Sequence, residues 1–239
     1  MNETKLELNR ICKHFDDKEV LRDISLHVCA GEHVTILGPS GCGKSTVMNI
    51  LTGILPADAG TIHIDGKIGY MQQKDLLLPW KTCLENVILP DILAGTSRQA
   101  AAEKVQPFFA VFGLDGSQNS YPGEMSGGMR QRASLLRTFV SSGDILLLDE
   151  PFGAVDSITR GSLQHWLIDV SGRLGLTILM ITHDIEEAIL LSDRIYVLSD
   201  KPAVIRDEIC PLFRGIEKKE RLFDPEFLAI KKRILTDLT

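Results

Sequence analysis

One short segment constrains this chain more than any other. Gly38-Pro39-Ser40-Gly41-Cys42-Gly43-Lys44-Ser45 fits the pattern G-x-x-x-x-G-K-[ST]. It follows the apolar run Val34 to Leu37, which reads as a buried strand, and it opens a helical stretch from Lys44 to Thr52. Glycines let successive backbone N–H groups turn inward and cradle phosphate oxygens. The helix that follows presents its positive end to the same anion. Lys44 is placed to bridge the terminal phosphates and the Ser45 hydroxyl to ligate Mg²⁺, with Gly38 to Thr46 forming the nucleotide contact. A fortuitous Gly-rich turn is the rival reading, and the strand-to-helix context disfavours it.

A loop of this kind needs a parallel sheet behind it, and the second half of the chain supplies one. From Asp144 onward, apolar strands at Ile145–Leu148, Thr177–Ile181 and Ile195–Leu198 alternate with helices at Ile158–Leu174 and Ile185–Leu191. The first third reads as strands, with Thr61–Ile64 and Lys67–Met71 set around an Asp65-Gly66 hairpin turn. Cys83–Leu93, Ser97–Phe112 and Gly127–Val140 have helical spacing. The charge-rich Glu217–Arg221 reads as a solvated connector before a tail helix at Pro225–Leu238. The expectation is one nucleotide-binding domain over 1–239, with a helical subdomain at about 82–142 and a short helical tail at about 215–239.

The strand Ile145–Leu148 ends in Asp149-Glu150. In an open parallel sheet, ligands bind at the carboxyl ends of the strands. Asp149 is placed to hold the metal and Glu150 to polarise an attacking water as general base. Alone, the pair would equally suit a solvated strand end. Net charge is −6, so nothing global suggests a nucleic-acid grip. No apolar run reaches the roughly 18 residues that span a bilayer, and the polar N-terminus has no signal-peptide core. Five scattered cysteines without a C-x-x-C pair argue against a disulfide framework or zinc site.

Met125-Ser126-Gly127-Gly128-Met129-Arg130-Gln131-Arg132 narrows the field. It resembles the signature of ATP-binding cassette (ABC) ATPases, and its Ser126 stands 23 residues before Asp149. Other family marks fall in order around it. Phe15 sits where the family stacks an aromatic on adenine; alone it would more often be core. Gln73, six residues before Pro79, matches the Q-loop glutamine, although composition does not separate it from Gln72. Ala154-Val155-Asp156 resembles the D-loop. His183 resembles the switch histidine that contacts the γ-phosphate; alone it would more often cap the following helix. Met125, Met129 and Val155 depart from the commonest family residues, and none has a catalytic role.

The resemblance implies an α/β fold, a P-loop NTPase ABC cassette with a parallel-sheet core, an antiparallel β subdomain and a helical signature subdomain. It implies ATP and Mg²⁺ as ligands, Glu150, His183, Gln73 and Lys44 as catalytic residues, and Ser45, Gln73 and Asp149 at the metal. Phe15, the loop residues Gly38, Pro39, Ser40, Gly41, Cys42, Gly43, Lys44, Ser45 and Thr46, and Ser126, Gly127, Gly128 and Asp156 would bind nucleotide, the signature reaching it from a second copy in a head-to-tail dimer. The "L-L-P-W" run Leu77–Trp80 with "S-G-G-M-R-Q-R" resembles ATPases of the nitrate, sulfonate and taurine importer group, and less closely importers of thiamine-precursor pyrimidines. The expected protein is therefore a peripheral ATPase on the cytoplasmic face of the membrane. It would serve a separate permease and, indirectly, a solute-binding protein. A non-transport ABC ATPase or an exporter subunit is the alternative. Leu76–Leu78 with Trp80 would be core or the border of a groove for a permease helix. Alkylating Cys42 would block ATP binding.

Overall fold

The computed structural model describes residues 3–142, 144–153, 155–213 and 217–238, the side chains of Ser142, Lys218 and Lys219 excepted. Two sheets organise it. β1 (Thr4–Phe15), β2 (Lys18–Cys29) and β4 (Ala59–Ile64) form an antiparallel sheet in the order β2-β1-β4. The larger sheet runs β5-β6-β7-β3-β8-β9, from β3 (His33–Leu37), β5 (Ile68–Met71), β6 (Ile145–Asp149), β7 (Thr177–Thr182), β8 (Arg194–Leu198) and β9 (Ile205–Ile209). All its pairings are parallel except β8 with the edge strand β9. β3 and β7 are buried at every residue, as strands covered on both faces must be.

The helices are α1 (Lys44–Leu51), α2 (Cys83–Val87), α3 (Leu89–Leu93), α4 (Arg98–Val111), α5 (Gly127–Ser142), α6 (Ser157–Leu174), α7 (Ile185–Leu191) and α8 (Pro225–Asp237). α2 to α5 bury Val87, Val105, Phe109, Phe112 and Leu136 against one face of the large sheet. The antiparallel sheet and α1 bury Leu6, Leu8, Ile24, Val47 and Met48 against the other. A third cluster joins α7 and α8 through Ile189, Phe227, Ile230 and Ile234.

Three expectations are corrected. Asp65-Gly66 is not a hairpin turn: β4 pairs with β1 while β5 pairs with β6, so the dipeptide crosses between sheets. The crossing is pinned where Asp65 N donates to Lys5 O and Lys67 N to Asp144 Oδ2, and Gly66 takes φ 135°, which a side chain would resist. The stretch Cys83–Leu93 is two short helices meeting at Ile88, with Pro90 in the first turn of the second, where its missing N–H costs nothing.

The connector before the tail is solvated only in part: Glu217 and Glu220 are exposed, whereas Arg221 is built into the fold. Lys218–Phe223 is a 3₁₀ helix, and Arg221 is only 7% exposed. Its guanidinium donates to the carbonyls of Ile189, Leu190 and Ser192 at the end of α7, at 3.4, 3.5 and 2.6 Å, and stacks over Phe213. A cation there satisfies carbonyls that a helix end leaves without partners.

Candidate nucleotide site

β3 and α1 hold the Gly-rich loop between them. Gly41 and Gly43 take φ of 80° and 130°. A β-carbon on Gly43 would meet Leu21 Cδ2 at 2.8 Å, so the loop packs directly on the β1–β2 hairpin. Gly43 caps α1 without a side-chain bond, which leaves the helix's first N–H groups facing the loop. Lys44 is 5% exposed, and its ammonium donates to the loop's own carbonyls at Gly38 (2.7 Å) and Pro39 (2.9 Å). Ser40, Gly41, Gly43, Lys44, Ser45 and Thr46 line a pocket of about 360 Å³ together with Gln73, Asp149, Glu150 and Lys201.

The two acids play different parts in that pocket. Asp149 ends β6, and its Oδ2 accepts from the Tyr70 hydroxyl at 3.1 Å. Burial holds its carboxyl above the usual carboxylate range, and neighbouring Glu150 adds to that, while Tyr70, Lys44 and Ser45 pull the other way. Burial beside Asp149 likewise pushes the Tyr70 hydroxyl up. Glu150 has φ 44°, a costly conformation for a residue with a side chain, and its N–H is tied to Ile181 O at 3.0 Å. Its Oε2 accepts from Gln73 Nε2 at 2.9 Å, and its Oε1 lies 3.0 Å from His183 Nδ1. Three segments distant in sequence thus meet on one carboxylate. With both oxygens engaged, Glu150 is fixed at the pocket rim. His183 is not the cap of α7; Asp184 is, accepting from Glu187 N at 3.0 Å.

Other expected residues lie elsewhere. Pro39 and Gly38 belong to the loop but turn from the pocket, and Gly38 packs on Cys42 and Leu198. Cys42 is 1% exposed and faces the core cluster under the antiparallel sheet, and burial pushes its thiol up. It is a packing residue on the inner side of the loop. Phe15 is exposed at the end of β1, with the Lys13 ammonium 5.7 Å from its ring, outside the pocket lining.

Ser126, Gly127 and Gly128 stand at the head of α5, away from the pocket. Ser126 Oγ accepts from Met129 N at 3.2 Å, and Gly128 leaves room for Thr159 on α6. Asp156 is the N-cap of α6, accepting from Ile158 N and Thr159 N, and the Thr159 side chain together with these backbone bonds holds its carboxyl below the usual range. Ala154 lies outside the described residues.

Sequence reasoning missed two pocket neighbours. Tyr70 reaches Asp149 only because β5 pairs with β6, which no local pattern reveals. Lys201 follows β8 at the carboxyl edge of the sheet, and that position was its one available signal. The segment after Gln73 is bound to the signature helix: Ser134 and Arg137 donate to Asp75 O, Arg137 to Leu76 O, and Arg130 to Asp75 Oδ2. Beside it, Leu77 is core, whereas Trp80 is 70% exposed.

Comparisons with known proteins bear on the family and the fold. A family profile described as ABC transporter matches residues 21–153. The formylaminopyrimidine import ATP-binding protein ThiZ of Halalkalibacterium halodurans is 48% identical over 185 residues, covering 77% of this chain and 74% of that protein. The aliphatic sulfonates import ATP-binding protein SsuB 1 of Pseudomonas savastanoi pv. phaseolicola is 36% identical, covering 100% and 98%. The taurine import ATP-binding protein TauB of Escherichia coli O157:H7 is 34% identical, covering 97% and 96%. Among solved structures, the dimeric bacterial ABC transporter cassette MJ0796 superposes with a TM-score of 0.73 at 29% identity, covering 88% of this chain and 100% of its own. The same cassette is known in a post-hydrolysis state bound to ADP and Pi, with a TM-score of 0.72 at 28% identity over 88% and 100%. With loop, strand-end acids and signature helix in place, the chain belongs to the ABC transporter family as an ATP-binding, ATP-hydrolysing cassette.

Proposed function

We propose that this cassette drives a small-nutrient importer, pairing head to tail with a second copy around two ATP molecules and docking on a separate permease at the cytoplasmic face of the membrane. The observation that carries the reading is the convergence of Gln73, Glu150 and His183 beside the phosphate loop. Glu150 takes the proton of the attacking water. His183 and Gln73 hold its carboxylate in line, and His183 reports the terminal phosphate to α7. Lys44 exchanges its loop carbonyls for phosphate oxygens. Ser126, Gly127 and Gly128 offer a second anion cradle to the nucleotide of the opposite copy, and Asp156 shapes the strand-to-helix turn next to it. Phe15, on the hairpin packed against Gly43, stacks on the base.

The residues present suit Mg²⁺. The Ser45 hydroxyl, the Asp149 carboxylate and the Gln73 carbonyl oxygen, the end of that amide not given to Glu150, are hard oxygen donors. Among the described residues, no cluster of three His, Cys, Asp or Glu forms an all-protein cage, as suits an ion shared with phosphates. Bound there, Mg²⁺ would neutralise charge on the transferring phosphate.

Import is favoured by the relatives' names, and the higher identity to the formylaminopyrimidine importer favours a pyrimidine-type cargo over sulfonate or taurine. Among the described residues no helix is long and apolar enough to cross a membrane, so the path for the solute comes from a partner. Trp80, exposed beside the segment that joins Gln73 to the signature helix, is the docking contact. The test is Glu150→Gln: turnover falls by about 10² to 10⁴ with ATP affinity retained. Turnover near wild type sinks the mechanism.

A further inference from the structure

The nucleotide pocket holds two lysines in opposite states. Lys44 is buried and already bonded to two loop carbonyls. Lys201 is exposed, lines the same pocket, and has no hydrogen bond or ion pair among the described residues. The rest of its loop is firmly placed. Ser199 Oγ donates to Asp200 O at 2.8 Å and accepts from Val204 N at 3.0 Å, and Ser199 N donates to Val204 O at 3.0 Å. Ala203 N donates to Val20 O and Ala203 O accepts from Arg22 N, both at 2.9 Å, and Ala203 is fully buried. Val20 in turn packs on Gly43, so this loop and the phosphate loop share one support. Leu198, just ahead of it, packs on Gly38. A lysine that lines an anion-binding pocket from a fixed backbone, with no partner among the described residues, is free to meet a phosphate without first breaking a protein contact.

We propose that Lys201 is a second phosphate-binding cation of this site, a positioning residue that closes the solvent side of the pocket on the phosphate chain of the bound nucleotide. The proposal rests on the nucleotide reading of the pocket. Lys44 holds the phosphates from inside the loop, and Lys201 meets them from the β8 side, opposite Gln73 and Glu150 across the sheet order. A charge-assisted contact near solvent is worth the lower end of its range and is screened by salt.

The test is the affinity for ATP and for ADP, by calorimetry at low and high salt, of wild type, Lys201→Ala, Lys201→Arg, Lys201→Glu and Lys44→Ala. Lys201→Ala should weaken both nucleotides roughly tenfold at low salt and less at high salt. Lys201→Glu should weaken them more, and Lys201→Arg should stay near wild type. Unchanged thermal midpoints, expected for an exposed side chain, separate this from a folding defect. If Lys201→Ala binds within twofold of wild type at low salt while Lys44→Ala does not bind, the proposal is overturned and the site reading stands. If Lys44→Ala also binds normally, the reading of the pocket falls and Lys201 falls with it.

Discussion

Arg221→Ala removes a cation from beneath the last turn of α7. The side chain is 7% exposed, and burial already draws its pKa down, so its charge stays in the core only because partners surround it. The strongest is Ser192 O at 2.6 Å; Ile189 O and Leu190 O sit at the long end of the range, and the Phe213 ring lies 4.6 Å from the guanidinium carbon. One good charge-assisted bond plus carbonyls left without a donor costs about 2 kcal/mol, and losing the stacked ring adds about 0.5–1 kcal/mol. Ser192 and Ile189 are buried, so water does not readily replace the lost donor. A loss of about 2–3 kcal/mol at roughly 2–4 °C per kcal/mol lowers Tm by about 4–12 °C. Differential scanning calorimetry of the ligand-free protein reads it. Arg221→Met keeps the packing without the donor and should lose nearly as much, while Arg221→Lys should recover part through Ser192 O. A Tm within about 1 °C of wild type for both Ala and Met would refute the idea that the tail braces the helix that follows His183.

Three shorter predictions accompany it. Cys42 should label far more slowly than exposed Cys210 in native protein, because it is buried, while burial pushes both thiols up alike in direction; equal rates would place it on the pocket side after all. Asp149→Asn should abolish hydrolysis yet raise Tm at neutral pH. The folded pKa of Asp149 lies above its unfolded value, so the fold favours the protonated form, and the group's favourable contribution is present below the unfolded pKa and lost as pH rises through the folded one. A lower Tm for Asp149→Asn at pH 7 contradicts that sign. Trp80→Ala, at an exposed position, should leave Tm unchanged and reduce co-purification with the permease; intact assembly and transport would remove Trp80 from the docking surface.

The site was legible wherever chemistry is written in local runs. Gly38 to Ser45 and Asp149-Glu150 each follow directly on an apolar strand, so strand, turn and functional group are read in one short run, and the parallel sheet behind them follows from continuous apolar strands. Gln73 over Gln72 and the site role of His183 over a cap needed the family pattern, and the fold then brought both to Glu150. Illegible features depend on partners far along the chain. Asp65-Gly66 has the residues of a hairpin, but β4 exposes nearly every side chain and finds its ladder on β1, while β5 has a buried neighbour in β6. Arg221 sits in a charged run that looks solvated, and only the end of α7, some thirty residues earlier in the chain, makes it core. Cys42 occupies a ligand motif yet points inward, because Gly38, with no side chain, leaves its sulfur a place in the core. β9 has polar residues at Arg206 and Asp207-Glu208, as an edge strand does, so its pattern did not read as a strand.

The most direct test of the two-cassette account is the solution mass of Glu150→Gln protein, measured by light scattering with and without Mg-ATP. With the base removed and ATP retained, the account predicts a monomer without nucleotide and a dimer with it, the dimer being lost when Ser126→Arg is added. Protein that binds ATP at saturation and remains monomeric, or a dimer indifferent to Ser126→Arg, would contradict a nucleotide shared between the phosphate loop of one copy and the signature helix of the other.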